Sequence, residues 1–227
     1  MAYSTLNLIN MLNIVIIGQN EGYFINDMLL SLIKYPFKRI WVLDRCTDAS
    51  ESKLRKLQET YIKTNPKLTG RQTSYSRNLG LSLTDDDSDV LFLDGDRYLV
   101  TGNLNKLLNS KYDVELLYLE NDFRTEVPAH ANYGKVLNGF FSCGLFIKRE
   151  ALEKIKAFQE GKVFNEEIQS LWGIEDTYLG DVCYHLGLTC NYNSTIRLNG
   201  SFSKTNIDSL EVLEKRFKLR DKLNVLW

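Results

Sequence analysis

The sequence contains no closely spaced cysteines: Cys46, Cys143, Cys183 and Cys190 lie far apart and form no CxxC pair. This excludes zinc-ligand spacing and the dense disulfide framework of a small secreted scaffold. The four read as reduced thiols, which points to a cytoplasmic compartment. No apolar run approaches the roughly 20 residues of a membrane span; the longest are short, such as "IVIIG". The opening "MAYSTLNLIN" has neither the basic start nor the apolar core of a signal peptide, so no membrane span is expected. Charge of one sign is also lacking, because 28 Lys and Arg face 29 Asp and Glu for a net charge of -1. Phosphate neutralisation needs a basic face, so a dedicated nucleic-acid binder is disfavoured. There is no internal repeat, low-complexity tract or linker, and histidine occurs only at His130 and His185.

What is present is a globular composition, 44% hydrophobic and 25% charged over 227 residues, enough for one ample domain. The first half alternates strands and helices. "LNIVII" (12–17) is a continuous apolar, β-branched run, as expected of a strand buried on both faces. After the turn "GQNEG", Phe24, Met28, Leu29, Leu32 and Ile33 recur at helical spacing, with Pro36 just beyond. "RIWVLD" is a second strand. Its turn "RCTDAS" leads into "ESKLRKLQETYIK" (51–63), which the stripe Leu54, Leu57 and Ile62 predicts as one charged helix. A helix over 73–82 and the strand "DVLFLD" follow. Such alternation predicts a parallel sheet between helices, with ligands outside the carboxyl ends of the strands. In the second half "VELLYLEND" reads as a strand, and "GLFIKREAL" as a strand running into a helix. "WGIEDTYLGDVCYHLGL" is a turn entering a helix that Gly187 ends. The stretch 124–138 is a loop or hairpin, and the tail 207–223 is amphipathic and helical in pattern. "TDDDSD" is a solvated turn.

Three strand ends thus offer polar groups: Asn20 and Glu21, Asp44 and Asp48, then Asp94 and Asp96. Taken singly, each has a plain structural reading. Asp48 is placed to cap the next helix, Asp44 to close a turn, and "DGD" to form a tight turn with Gly95 at positive φ. Together at corresponding ends of one sheet they suggest a site.

These elements resemble the GT-A fold glycosyltransferases, particularly the large inverting group called family two. "IVIIGQNEG" resembles the opening strand and its "PTYNE" turn, and "VLDRCTDAS" is similar to "VDDGSTDGS". "GRQTSYSRNLGLSL" resembles the glycine-to-"ARNxG" helix, "DVLFLDGDRYL" the strand bearing the DxD motif, and "GLFIKREAL" the strand and helix after the acceptor loop. "WGIEDTYLGDVCYHLGL" is similar to the "GGED" motif and its helix. The order is the family's along most of the chain.

The resemblance implies an α/β GT-A (Rossmann-like) three-layer sandwich with a mostly parallel central sheet. It forms one domain over 1–227, with a nucleotide-sugar-binding half over about 12–100 and an acceptor-binding half over about 101–227. It also implies a metal-dependent glycosyltransferase that uses a nucleotide-diphospho-sugar, expected to be a UDP-sugar, with inversion at the anomeric carbon. The acceptor would be a hydroxyl on a glycan or glycosylated polymer. The cofactor would be a divalent cation, Mn²⁺ or Mg²⁺, with Asp96 as its direct ligand and Asp94 acting on it through water or on the donor ribose. Gly95 would let the backbone approach closely. Asp44 would bind the nucleoside, and the turn Gly18, Gln19, Asn20, Glu21 would line the base. Arg77 would face the diphosphate or pair structurally with Asp44 or Asp94. Asp176 would be the base that deprotonates the acceptor, with Glu175 orienting the acceptor, Gly173 completing the motif, and Trp172 offering an aromatic platform. Acids at a helix N-terminus also suit the helix dipole alone.

The chain departs from the family in its "IGQNE" turn, which lacks the usual Pro, Thr and Tyr, and in Arg45, where small residues are common. It departs again in "LNGSFSKTN", where several related enzymes carry a metal-binding histidine. His185 reads as a surface or packing residue. Two other classes stand beside this one. A nucleotidyltransferase predicts a basic Gly-rich loop after the first strand, and "GQNEGYF" has no Lys or Arg. A degenerate sugar-nucleotide-binding protein is opposed by the retained Glu175–Asp176 pair.

Overall fold

A computed structural model describes residues 12–120, 142–169 and 174–199. Residues 124–138, His130, Trp172, Gly173 and the 207–223 tail, all part of the sequence reading, lie outside the described residues.

The strands are β1 (Leu12–Gly18), β2 (Lys38–Leu43), β3 (Thr60–Lys63), β4 (Asp89–Asp94), β5 (Leu99–Thr101), β6 (Val114–Leu119), β7 (Leu145–Ile147) and β8 (Cys190–Leu198). The helices are α1 (Ile25–Leu32), α2 (Ser50–Lys56), α3 (Thr73–Leu81), α4 (Arg149–Phe158) and α5 (Ile174–His185), with a 3-10 turn at Leu104–Asn109. One eight-stranded sheet runs in the order β3-β2-β1-β4-β7-β6-β8-β5. The first four neighbours are parallel, as the β-branched, doubly buried β1 requires. β7 runs antiparallel to β4 and to β6, and β6 pairs with β8 in parallel. The amino end of β7 therefore lies at the same edge as the carboxyl ends of β1, β2, β4, β6 and β8.

The run expected as one helix over 51–63 divides. α2 stops at Lys56, Gln58 takes a left-handed φ of 56°, and Thr60–Lys63 becomes β3 beside β2. Ile62 thus serves strand pairing rather than a helical stripe. The β-branched pair Thr60 and Ile62 suits a strand better than a helix end.

The core includes the fully buried Ile14, Ile16, Trp41, Phe92, Phe146 and Phe164, with the Phe92 and Phe164 rings edge to face at 5.0 Å. α3 packs closely on the sheet, because a Cβ at Gly80 would lie 2.4 Å from Val15 Cγ1 and 2.9 Å from Val42 Cγ2. At its other end α5 closes through two backbone bonds, Leu188 N–H to Cys183 O and Gly187 N–H to Tyr184 O, with Gly187 at φ 64°. That pattern is the glycine stop expected from the sequence.

Candidate active site

The strand ends are joined by backbone bonds before any side chain acts. Asp44 N–H donates to Gly18 O at 2.9 Å, and Gly95 N–H donates to Ile17 O at 2.6 Å. This brings the first turn against the "DGD" turn. Glu21 lies across both: a Cβ at Gly95 would meet Glu21 Cβ and Cγ at 3.2 Å, and one at Gly18 would meet Glu21 Cγ at 3.1 Å. Gly95 is not in the left-handed region, so its small size rather than its φ is what the site uses. The half-buried Glu21 carboxyl is pushed up to about 7, by burial first and then by the charges of Asp96, Asp94 and Asp48, against the pull of Arg97. Gln19 is exposed. Asn20, at φ 62°, uses its Oδ1 to accept from Thr47 N–H at 2.7 Å and Asp48 N–H at 3.2 Å. Its side-chain oxygen holds the second turn. Asp48 Oδ1 accepts from Ser50 N–H and Oδ2 from Gly22 N–H, joining the start of α2 to the first turn.

At the end of β4, Asp94 Oδ1 accepts from Arg77 Nη2 at 2.8 Å. The Arg77 side chain is only 4% exposed, and its guanidinium lies 5.5 Å from the centre of the Phe164 ring. Arg77 thus pairs structurally with Asp94. Asp96 Oδ1 lies 3.5 Å from Arg97 Nε. Asn199 Nδ2 donates to the Asp96 carbonyl at 2.9 Å, and Arg97 Nη1 donates to Asn199 O at 3.0 Å. Asn199, in the stretch where several related enzymes carry a histidine, thus reaches the "DGD" turn through its amide.

Asp44 is paired within its own turn. Arg45 forms a two-pronged pair with it, Nε to Oδ1 at 2.8 Å and Nη2 to Oδ2 at 2.7 Å. Thr64 Oγ1 adds a bond to Oδ1 at 2.9 Å, and Arg45 Nη1 reaches Leu68 O at 3.1 Å. The left-handed φ of 50° at Arg45 lets its side chain fold back on its neighbour. Asp44 is thus held by its own surroundings.

The acids of "GIED" open α5. Glu175 is 2% exposed, and its Oε1 accepts from Thr73 Oγ1 at 3.0 Å. Burial first, then the Asp176 charge, push it up to about 7, while Arg71 and Arg77 pull it down. Asp176 is half-buried and its Oδ1 accepts from Ser142 Oγ. Arg71, lowered by its own burial, lies in the field of Glu175, Asp94 and Asp176, and buried Arg77 lies in the field of the same three acids. Both guanidiniums therefore feel the charge of the β4 acid Asp94 and of the two α5 acids together. Thr73, Ser142, Arg71 and Asn199 were not foreseen. They carry no pattern of their own and become visible only when distant segments meet. His185 is exposed, its ring 5.1 Å from Phe158, a surface packing position as expected.

Among the described residues no group of three His, Cys, Asp or Glu is arranged to hold a metal ion. Two carboxylates, Asp96 and Asp94, fit a hard cation that completes its shell with phosphate oxygen and water. The charges of Asp96 and Asp94, which add to burial in raising Glu21, are the excess such a cation would relieve.

No family model and no curated protein matches the sequence. Solved structures do. One is glucosyl-3-phosphoglycerate synthase from Mycobacterium tuberculosis in complex with Mn²⁺, UDP and glucosyl-3-phosphoglycerate. It matches at a TM-score of 0.59 and 17% identity, over 92% of this chain and 76% of that one. The same enzyme with Mg²⁺ and UDP matches at 0.59 and 17%, over 90% and 74%. With Mn²⁺, UDP-glucose and phosphoglyceric acid it matches at 0.59 and 16%, over 92% and 76%.

The fold is GT-A. In the GT-A frame the "DGD" turn, the first turn and the α5 acids share the carboxyl edge of the sheet, where open α/β sheets take their ligands. No helix among the described residues is long and apolar enough to cross a membrane.

Proposed function

We propose that the chain is a glycosyltransferase that moves a sugar from a nucleotide-diphospho-sugar, a UDP-sugar, to an acceptor hydroxyl with inversion. The observation that carries this reading is the shared position of Arg77. It pairs with Asp94 and lies in the field of Glu175 and Asp176, so the donor-side acids and the acceptor-side acids face one another across it. The Mn²⁺, Mg²⁺, UDP and UDP-glucose bound by the mycobacterial enzyme support the donor class and the cation.

Asp96, with Asp94 behind it, would hold the divalent cation, which when bound supplies positive charge against the diphosphate as it departs. Arg77 orients Asp94, and its buried cation favours negative charge on the donor side. The turn from Gly18 to Glu21 borders the donor position, with Gly95 keeping the backbone low. Asp44 contributes to the nucleoside pocket through the arginine it holds. Asp176, half-exposed at the head of α5, takes the proton of the acceptor hydroxyl as that oxygen attacks the anomeric carbon opposite the leaving group. Glu175, buried against Thr73, fixes the first turn of α5 and thereby the acceptor side. Trp172 and Gly173 belong to the acceptor side on the motif alone.

The acceptor we assign is a glycan or glycosylated polymer. A small carboxylated acceptor, like the phosphoglyceric acid bound by the mycobacterial enzyme, is the second reading, favoured by Arg71 beside the α5 acids. Against a nucleotidyltransferase stands Glu21, a carboxylate where that class needs a basic phosphate loop.

The test is Asp176→Asn, measured by donor binding and by transfer. Donor affinity stays within about twofold while transfer falls by about 10²–10⁴, the usual worth of a general base. Transfer at the wild-type rate sinks the assignment.

A further inference from the structure

We propose that Ser142 is a positioning residue for Asp176: its hydroxyl, held at the sheet edge, sets the plane of the carboxylate that receives the acceptor's proton. The inference rests on the reading of Asp176 as the base.

Ser142 is 1% exposed and precedes β7 on a segment that the sheet pins. Two residues on, Gly144 N–H donates to Phe92 O at 2.9 Å, and Gly144 O accepts from Leu117 N–H at 2.8 Å. Gly144 has φ 114°, and a Cβ there would lie 2.8 Å from Leu198 Cδ1, so the segment has one course between β4 and β6. Cys143, between them, lies in the field of Arg77. The Ser142 backbone is therefore located by β4, β6 and β8, not by α5.

A serine hydroxyl has one proton to donate, and this one goes to Asp176 Oδ1. An aspartate in the first turn of a helix otherwise turns about two side-chain torsions. The bond engages Oδ1 and leaves Oδ2 to face the acceptor in a defined direction. In the transfer step the acceptor O–H proton passes to Asp176 Oδ2 as the acceptor oxygen bonds the anomeric carbon and the diphosphate leaves with its electron pair. Ser142 keeps its own proton throughout and is no relay. Its partner on the other acid is Thr73, which donates to Glu175. Each acid of "GIED" is thus held by a hydroxyl from a different element, and alignment of this kind governs rate more than binding.

The experiment is Ser142→Ala, a small change at a buried site, assayed for kcat, for KM of donor and acceptor, and for melting temperature. The expected result is a loss of about tenfold or more in kcat, in keeping with a hydrogen bond to a charged group, with both KM values within about twofold and folding retained. In single-turnover assays that follow residual transfer, Ser142→Ala added to Asp176→Asn costs nothing further. An unchanged kcat overturns the proposal, as does a loss confined to KM or an equal loss on the Asp176→Asn background. If Asp176→Asn alone transfers normally, the base assignment has failed instead, and the two failures are told apart by that arm.

Discussion

Glu21 gathers the charge of the site onto one side chain, because the acids of two turns reach it while glycines at 18 and 95 admit its methylenes. In the folded chain its carboxyl keeps a proton up to about 7, against an ordinary value of 4.5. Between those values the folded form binds more protons than the unfolded form, so this residue lowers stability as pH rises through that window and leaves it lower above. Glu21→Gln removes the effect. The variant's urea midpoint, compared with wild type, should gain from about pH 4.5 to about pH 7 and then level off; parallel midpoints across the range refute the account. The same scale shows what single residues conceal. Asp94, Asp96, Glu175 and Asp176 stood out as acids at strand and helix ends. Nothing in "LDRC" announced that Asp44 would be bonded to its own neighbour, because that depends on the left-handed φ of Arg45. Thr73 and Ser142 were silent for the same reason: a hydroxyl becomes meaningful only beside its acceptor.

At the scale of elements, the buried parallel strands were the most legible, since continuous apolar runs such as "NIVII" and "VLFL" leave few other assignments. α1 was legible by its 3.6-residue spacing and α5 by its glycine stop. β3, β5 and β8 were not. β3 hid at the end of a helical pattern, β5 has three residues, and β8 ("CNYNSTIRL") is polar over much of its length, so its pairing with β6 and β5 leaves little periodic trace. Close docking of α3 on β1 and β2 depends on Gly80. Gly80→Ala should destabilise the protein by about 1–3 kcal/mol through overpacking against Val15 and Val42, read as a lower denaturation midpoint. A midpoint at or above wild type would show that the helix can move away freely.

For the whole molecule, anything that binds only the folded chain raises its stability in proportion to the logarithm of ligand excess. UDP with Mn²⁺ at about 100 times its dissociation constant should add about 2.7 kcal/mol, seen as a raised melting temperature. Asp96→Ala should lose the Mn²⁺-dependent part; an unchanged cation-dependent shift removes Asp96 from the metal. The GT-A architecture could be read from motif order, whereas the wiring between the β4 acids and the α5 acids could not. That wiring runs through α3. Thr73 bonds Glu175 and Arg77 bonds Asp94, four residues apart on one helix, a step of about 6 Å along its axis. The helix thus acts as a ruler between the two sets of acids, with one turn as its unit. One residue inserted between those positions would turn one side chain about a further 100° from the other, so the gauge of this site is set by residue count before any contact forms.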